Sequence, residues 1–238
     1  MGALNFVSHF GTFLLLVATI LLVIASITAP TVKSISFMTV DLGDNAGAIT
    51  FGSFGWCLTG ASSGNRCSGT HIGYNPAEVI SSVEGSNYSG TRAGTAKALT
   101  NVMILHPIGA GIAFIAFILS IGSSFFGSFL SSLVAGSAFI VTLVALICDW
   151  VWMSLVRNNV NDDRDGGSRV GRAHYDAALW CVLAAAICSL IASVILFFTC
   201  CAGRRNRSRA ERHTRAKADY ASPPATTHRR RWWSRSRY

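Results

Sequence analysis

The sequence predicts an all-α membrane protein, a bundle of four transmembrane helices that carries a small, disulfide-containing and partly β extracellular loop. Three observations predict it. Only 13% of the 238 residues are charged and 51% are hydrophobic, whereas a soluble domain carries about a quarter charged residues. Uncharged stretches as long as a bilayer is thick recur along the chain. The basic excess is confined to one end: from Gly203 to Tyr238 twelve Lys/Arg face only Glu211 and Asp219, while everything before it holds eight Lys/Arg and nine Asp/Glu.

The elements follow in order. Residues 1–32 contain no Asp, Glu, Lys or Arg, and the first span is placed at 10–29, since about 20 apolar residues at a rise of 1.5 Å each cross the hydrocarbon layer. A cleaved signal peptide is the rival reading. The run is longer than an ordinary h-region and no Lys or Arg precedes it, so retention as a span is expected. Residues 30–101 form a polar, Gly/Ser/Asn-rich outer loop of balanced charge, with β-prone pieces at Ser36–Val40 and Ala48–Phe51.

From Val102 to Cys148 there is no charged side chain for 47 residues. One helix of that length far exceeds a bilayer, so two spans are expected, at 103–121 and 129–148. Gly122-Ser123-Ser124 and Gly127-Ser128 mark the turn between them. Asp149, Trp150 and Trp152 then fall at the membrane surface. A second outer loop is expected over 153–176, and the fourth span over 177–200. The membrane domain thus comprises 1–202, and 203–238 is a basic tail without apolar periodicity, expected to be disordered. Four spans put both termini on one side, and the tail's cations fix that side as cytoplasmic. A small-residue ridge at Ala185, Ser189 and Ser193, with Ser132 and Gly136 on the third span, predicts close helix approach.

Cys57 and Cys67 are the only cysteines in the polar loop. On the oxidising side of the membrane they are expected to form a disulfide. A metal site that recruits His71 is the alternative, and no fourth ligand is evident. Asn87-Tyr88-Ser89 is an N-glycosylation sequon in that loop. Cys200 and Cys201, where the fourth span meets the arginines, are palmitoylation candidates. Arg204, Arg205, Arg207 and Arg209, with Arg229, Arg230 and Arg231 further on, form a polybasic segment suited to anionic inner-leaflet lipids of the bilayer. Nucleic acid is not the expected partner of a chain with four spans. Loop histidines such as His71 and His174 are ordinarily solvated, and His106 starts the second span, so the sequence alone does not make a proton sensor.

No span carries a charged residue near its middle, where ion-coupled transporters need one. There is no HExxH, no phosphate-cradling glycine loop and no paired intramembrane carboxylate. Neither an enzyme nor a cofactor is expected.

One ordered set of motifs goes further. Ile27-Thr28-Ala29-Pro30 ends the first span, then come Phe51-Gly52-Ser53-Phe54-Gly55-Trp56-Cys57, a second Cys67, Gly73-Tyr74, and Leu99 followed by Ile104-Leu105-His106-Pro107-Ile108. Over about residues 10–200 this order resembles the fungal PalI family of tetraspan membrane proteins, grouped with eisosome-associated tetraspan proteins and claudin-like in layout. The resemblance implies a plasma-membrane protein that assists alkaline ambient-pH signalling by supporting or localising a membrane sensor. Its alternative implication is a structural organiser of eisosome-like membrane domains and of cell-wall integrity. The expected partner is accordingly a sensor or a scaffold protein, with a homo-oligomer also open. Gly55, Trp56, Cys57, Cys67, His106 and Pro107 are expected to be structural within that resemblance.

Overall fold

In lipid a backbone must satisfy its own N–H and C=O groups, so long apolar runs fold as helices. The computed structural model describes residues 2–32, 34–42, 47–62, 64–84, 90–122, 125–165 and 172–221. Helix α1 runs Gly2–Ser26, and its membrane-length portion is Phe6–Ser26. It stops short of the expected 10–29 because the chain turns at Thr28, ahead of a cis Ala29-Pro30 bond.

The polar segment that follows folds in two layers. Strands β1 (Met38–Asp41), β2 (Ala48–Phe51), β3 (Trp56–Thr59) and β4 (Arg66–Cys67) form an antiparallel meander. β2 coincides with its expected limits, and β1 lies two residues beyond the expected start. Two helices that no periodicity announced then cover the segment, α2 (Pro76–Glu84) and α3 (Gly90–Asn101). A 3-10 turn at Val102–Ile104 leads into α4 (Leu105–Ile121). The break falls at Gly122, as expected, whereas Gly127-Ser128 lies inside the next helix.

That helix, α5, spans Phe125–Asp165, 41 residues, or about 60 Å at 1.5 Å per residue. A hydrocarbon core is about 30 Å thick, so α5 projects well past it. The helix therefore runs beyond the expected third span of 129–148 at both ends, and the expected outer loop at 153–176 is helix for its first half. The physical reason is legible afterwards. Trp152, Met153, Val156 and Val160 recur at helical spacing and are buried, and no Gly or Pro interrupts the polar positions between them before Gly166. Strand β5 (Arg172–Tyr175) completes the sheet in the order β4-β3-β2-β1-β5. It pairs antiparallel with β1, Met38 facing Tyr175 and Asp41 facing Arg172. The two polar segments are thus one folded head.

The fourth long helix, α6, runs Ala177–Ala221, with Ala177–Ala202 as its membrane-length part. The chain divides into two units, Met1–Thr199 and Cys200–Tyr238. In the second unit the backbone is helical to Ala221, where the sequence reading expected disorder from 203. Ala, Arg, Glu and Lys are good helix formers, and no Pro occurs until Pro223.

In the first unit, Leu15 of α1, Ala116 of α4, Ala135 of α5, and Ala192 and Leu196 of α6 form one buried cluster. Ala18, Leu22, Ala110 and Ala185 form a second. The expected ridge is present: Ser132 and Ser193 exchange hydroxyl-to-carbonyl hydrogen bonds of 3.4 Å between α5 and α6, and Ala185 and Ser189 are fully buried. The largest core lies in the head, where Phe37, Met38, Ile49, Phe51 and Ile80 meet Met103, Trp152, Met153 and Leu179 at the helix ends.

Candidate functional site at the junction of sheet and bundle

The motif residues gather where the head sits on the helix ends. Gly52 presses against the backbone of Ala29 so closely that a Cβ there meets the Ala29 carbonyl. Next to it, the Ser53 amide donates to Thr28 Oγ1 at 2.8 Å and Ser53 Oγ donates to the Ala25 carbonyl at 2.7 Å, all three residues being buried. The end of α1 is thereby fastened to the strand connection. The Gly52 amide donates to the Gly55 carbonyl at 2.9 Å and closes that turn.

Tyr74 ties in two more elements. Its hydroxyl donates to the Gly52 carbonyl at 2.7 Å, and its own carbonyl accepts from Thr100 Oγ1 of α3 at 2.7 Å. Its ring stacks on Phe51 with centroids 6.1 Å apart. Burial pushes the phenol well above its ordinary value, and the nearby Asp149 carboxylate adds to that shift. Gly73 precedes it at φ +73°, where a side chain is strained and would run into Asn101.

Cys57 and Cys67 form the expected disulfide between directly opposed positions of β3 and β4. Both sulfurs are consumed by it, so the metal alternative falls, and His71 instead points Nδ1 at the Gly69 carbonyl at 2.7 Å. Trp56 is half-buried against the head core, and its amide donates to Ser68 Oγ at 3.0 Å. Pro107 is exposed in the first turn of α4, where a missing N–H removes no intrahelical bond.

His106 is wholly buried. Nδ1 lies 2.9 Å from the Met103 carbonyl, Nε2 lies 2.9 Å from Asp149 Oδ2, and the ring packs on Phe37 at 5.2 Å. Sequence reasoning placed His106 and Asp149 at the ends of two spans and missed that they meet. The signal was available: each is the ionisable group at one end of the same charge-free stretch, and a polar group at membrane depth seeks a partner. Asp176 was also missed. It accepts hydrogen bonds from Ser36 Oγ and from Thr39 Oγ1, the latter at 3.1 Å, and so holds the start of α6 to the sheet.

The other predicted residues do not join this site. Asn87 and Arg229, Arg230 and Arg231 lie outside the described residues. Arg204, Arg205, Arg207 and Arg209 lie on the α6 backbone, and Cys200 is buried whereas Cys201 is exposed. Among the described residues no group of three or more His, Cys, Asp or Glu is placed to hold a metal ion. The junction holds elements together through hydrogen bonds at Gly52, Ser53, Trp56, Tyr74 and His106.

Comparison with known proteins agrees with this architecture. A family model described as SUR7/PalI matches residues 4–192. The pH-response regulator protein palI/RIM9 of Emericella nidulans is 31% identical over 109 residues, which cover 46% of this chain and 18% of that protein. The pH-response regulator protein palI/prr-5 of Neurospora crassa is 34% identical over 134 residues, 56% of this chain and 18% of that protein. A protein of Saccharomyces cerevisiae described as uncharacterized membrane protein TOS7 is 34% identical over 117 residues, 49% of this chain and 19% of its own length. The matched stretch thus spans less than a fifth of each of these relatives.

Proposed function

The chain belongs to the SUR7/PalI family, and on that premise we propose that it is a non-enzymatic plasma-membrane protein of alkaline ambient-pH signalling. In this reading it supports or localises a membrane sensor. The observation that carries it is the pairing of pH-response relatives with a folded head fastened to four apolar helices. The described residues of that head supply packing and hydrogen bonds that join it to the helix ends.

The head faces outward and both termini face the cytoplasm, because the tail concentrates the positive charge. The head is the surface offered to a partner, and the tail arginines rest on anionic lipid. Cys201, exposed at the start of the tail, is the candidate for acylation.

Two measurements test the reading. Deletion of the gene is expected to slow growth at alkaline pH and to lower the amount of a multi-span sensor at the cell surface. Normal alkaline growth with unchanged sensor localisation overturns it. Crosslinking pull-down from membranes at acid and alkaline pH is expected to recover that sensor. Recovery of cortical scaffold proteins in its place favours an organiser of membrane domains.

A further inference from the structure

Among the described residues, His106–Asp149 is the ion pair with both partners buried, their side chains 0% and 3% exposed. Its hydrogen-bond geometry fixes how many protons it holds. The Met103 carbonyl only accepts, so Nδ1 carries a hydrogen. Nε2 and Oδ2 lie 2.9 Å apart, and two lone pairs facing each other at that distance repel, so one further proton lies between them. The closed pair is therefore neutral overall, whichever atom the shared proton sits on.

A separated pair behaves otherwise. A free imidazole titrates near about 6.5 and a free aspartate near about 3.9. Between those values the separated pair also holds the one shared proton, and closing is indifferent to pH. Above about 6.5 it holds none, so each further pH unit shifts the equilibrium about tenfold toward the open pair. The direction follows from the proton count alone.

The pair sits where opening has mechanical consequence. His106 begins α4, and its ring supports Phe37, immediately before β1. Asp149 lies on α5 three residues before Trp152, which is fully buried against Phe51 of β2. The indole Nε1 of Trp152 has no hydrogen-bond acceptor.

We infer that His106 and Asp149 form a proton-dependent latch that joins α4 to α5, with the His106 ring against Phe37 of the sheet head, at mildly acid pH and releases as the pH outside rises. The other titratable groups acting on Asp149 are the Cys148 thiol on its own helix and the Tyr74 phenol from the head. Tyr74 stays protonated across this range, so it neither supplies nor competes for the proton. Facing His106, Phe37 and the Met103 carbonyl carry no charge. Use of the latch as an input to pH signalling rests on the function proposed above, whereas the latch itself does not.

Hydrogen exchange of the full chain in lipid nanodiscs tests it. Protection factors around residues 102–109 and 35–38 are expected to hold steady from pH 5.5 to 6.5. They are then expected to fall by up to about a hundredfold by pH 8.5, while the middle of the bundle stays protected. In Asp149→Asn the introduced amide donates to Nε2 of a neutral imidazole, so the closed form needs no extra proton and the fall is expected to vanish. A flat wild-type profile, or an equal fall in Asp149→Asn, overturns the latch. Should Asp149→Asn not fold, the wild-type profile decides alone. In cells, deletion tests the signalling role independently. A deletion defect alongside a flat profile sinks only the latch, and a normal deletion strain sinks only the signalling reading.

Discussion

At the scale of single residues, two groups have effects that can be measured apart from the pH latch. Closing a loop between Cys57 and Cys67, ten positions apart, removes chain entropy from the unfolded state. Replacing both with Ser is expected to destabilise the head by about 3 kcal/mol. Thermal unfolding of the protein in detergent, with and without reductant, checks this: reductant should lower the wild-type midpoint and leave the variant unmoved. Tyr74 acts through a buried hydroxyl that donates to the Gly52 carbonyl. In Tyr74→Phe that carbonyl loses its donor, at a cost of about 1–3 kcal/mol at neutral pH. Its phenol is raised in the folded state, so its contribution is complete below the unfolded value of about 10 and declines as pH rises above it, where only the unfolded tyrosine ionises. A denaturation series from pH 8 to 11.5 should show a steeper loss for wild type than for Tyr74→Phe. Parallel curves would refute the assignment.

At the scale of elements, the projecting part of α5 does what an isolated loop of this size does not. A head of five short strands and two short helices has little apolar surface of its own to bury. Trp152, Met153, Val156 and Val160 supply the missing wall, and they belong to a helix whose other half is held in the bundle. Val156→Asp places a charge in that wall and is expected to unseat the sheet while the four apolar helices remain. The check is limited proteolysis: new cleavage sites should appear within 34–84, with circular dichroism still reporting most of the helix. Cleavage confined to other segments would show that the sheet stands without α5. Close approach of α5 and α6 has a different origin, because lipid gives helices no hydrophobic reason to associate. Ser132, Gly136 and Ser193 permit it by being small.

At the scale of the whole molecule, charge is distributed by segment, with a nearly neutral membrane unit and a strongly basic tail. If the tail rests on an anionic leaflet, each arginine near the surface adds about 1 kcal/mol. Replacing Arg204, Arg205, Arg207 and Arg209 with Gln is then expected to weaken binding of the tail to vesicles containing phosphatidylserine. Binding to neutral vesicles should stay unchanged. Sedimentation of the two vesicle types decides it, and equal binding of wild type and variant to anionic vesicles would remove the lipid role. The prediction needs only the sequence, since electrostatic attraction at a surface depends on the number of cations within a Debye length more than on their arrangement.

By itself the sequence determined the four spans, the break at Gly122, the position of β2, the Cys57–Cys67 bond and the resemblance to the family. These are local or compositional properties: an apolar run of bilayer length, a glycine, an alternating strand, two lone loop cysteines. Tertiary structure decided what depends on partners distant in sequence. β5 pairs with a strand more than a hundred residues earlier, Asp176 meets Ser36 and Thr39, and His106 meets Asp149 across 43 positions. Asn158–Asp165, followed by Gly166-Gly167, read as a loop, because polarity alone does not reveal that Val156 and Val160 have a core to face. A buried ion pair is legible as two separate end-of-span residues, and only packing turns them into one group with one shared proton.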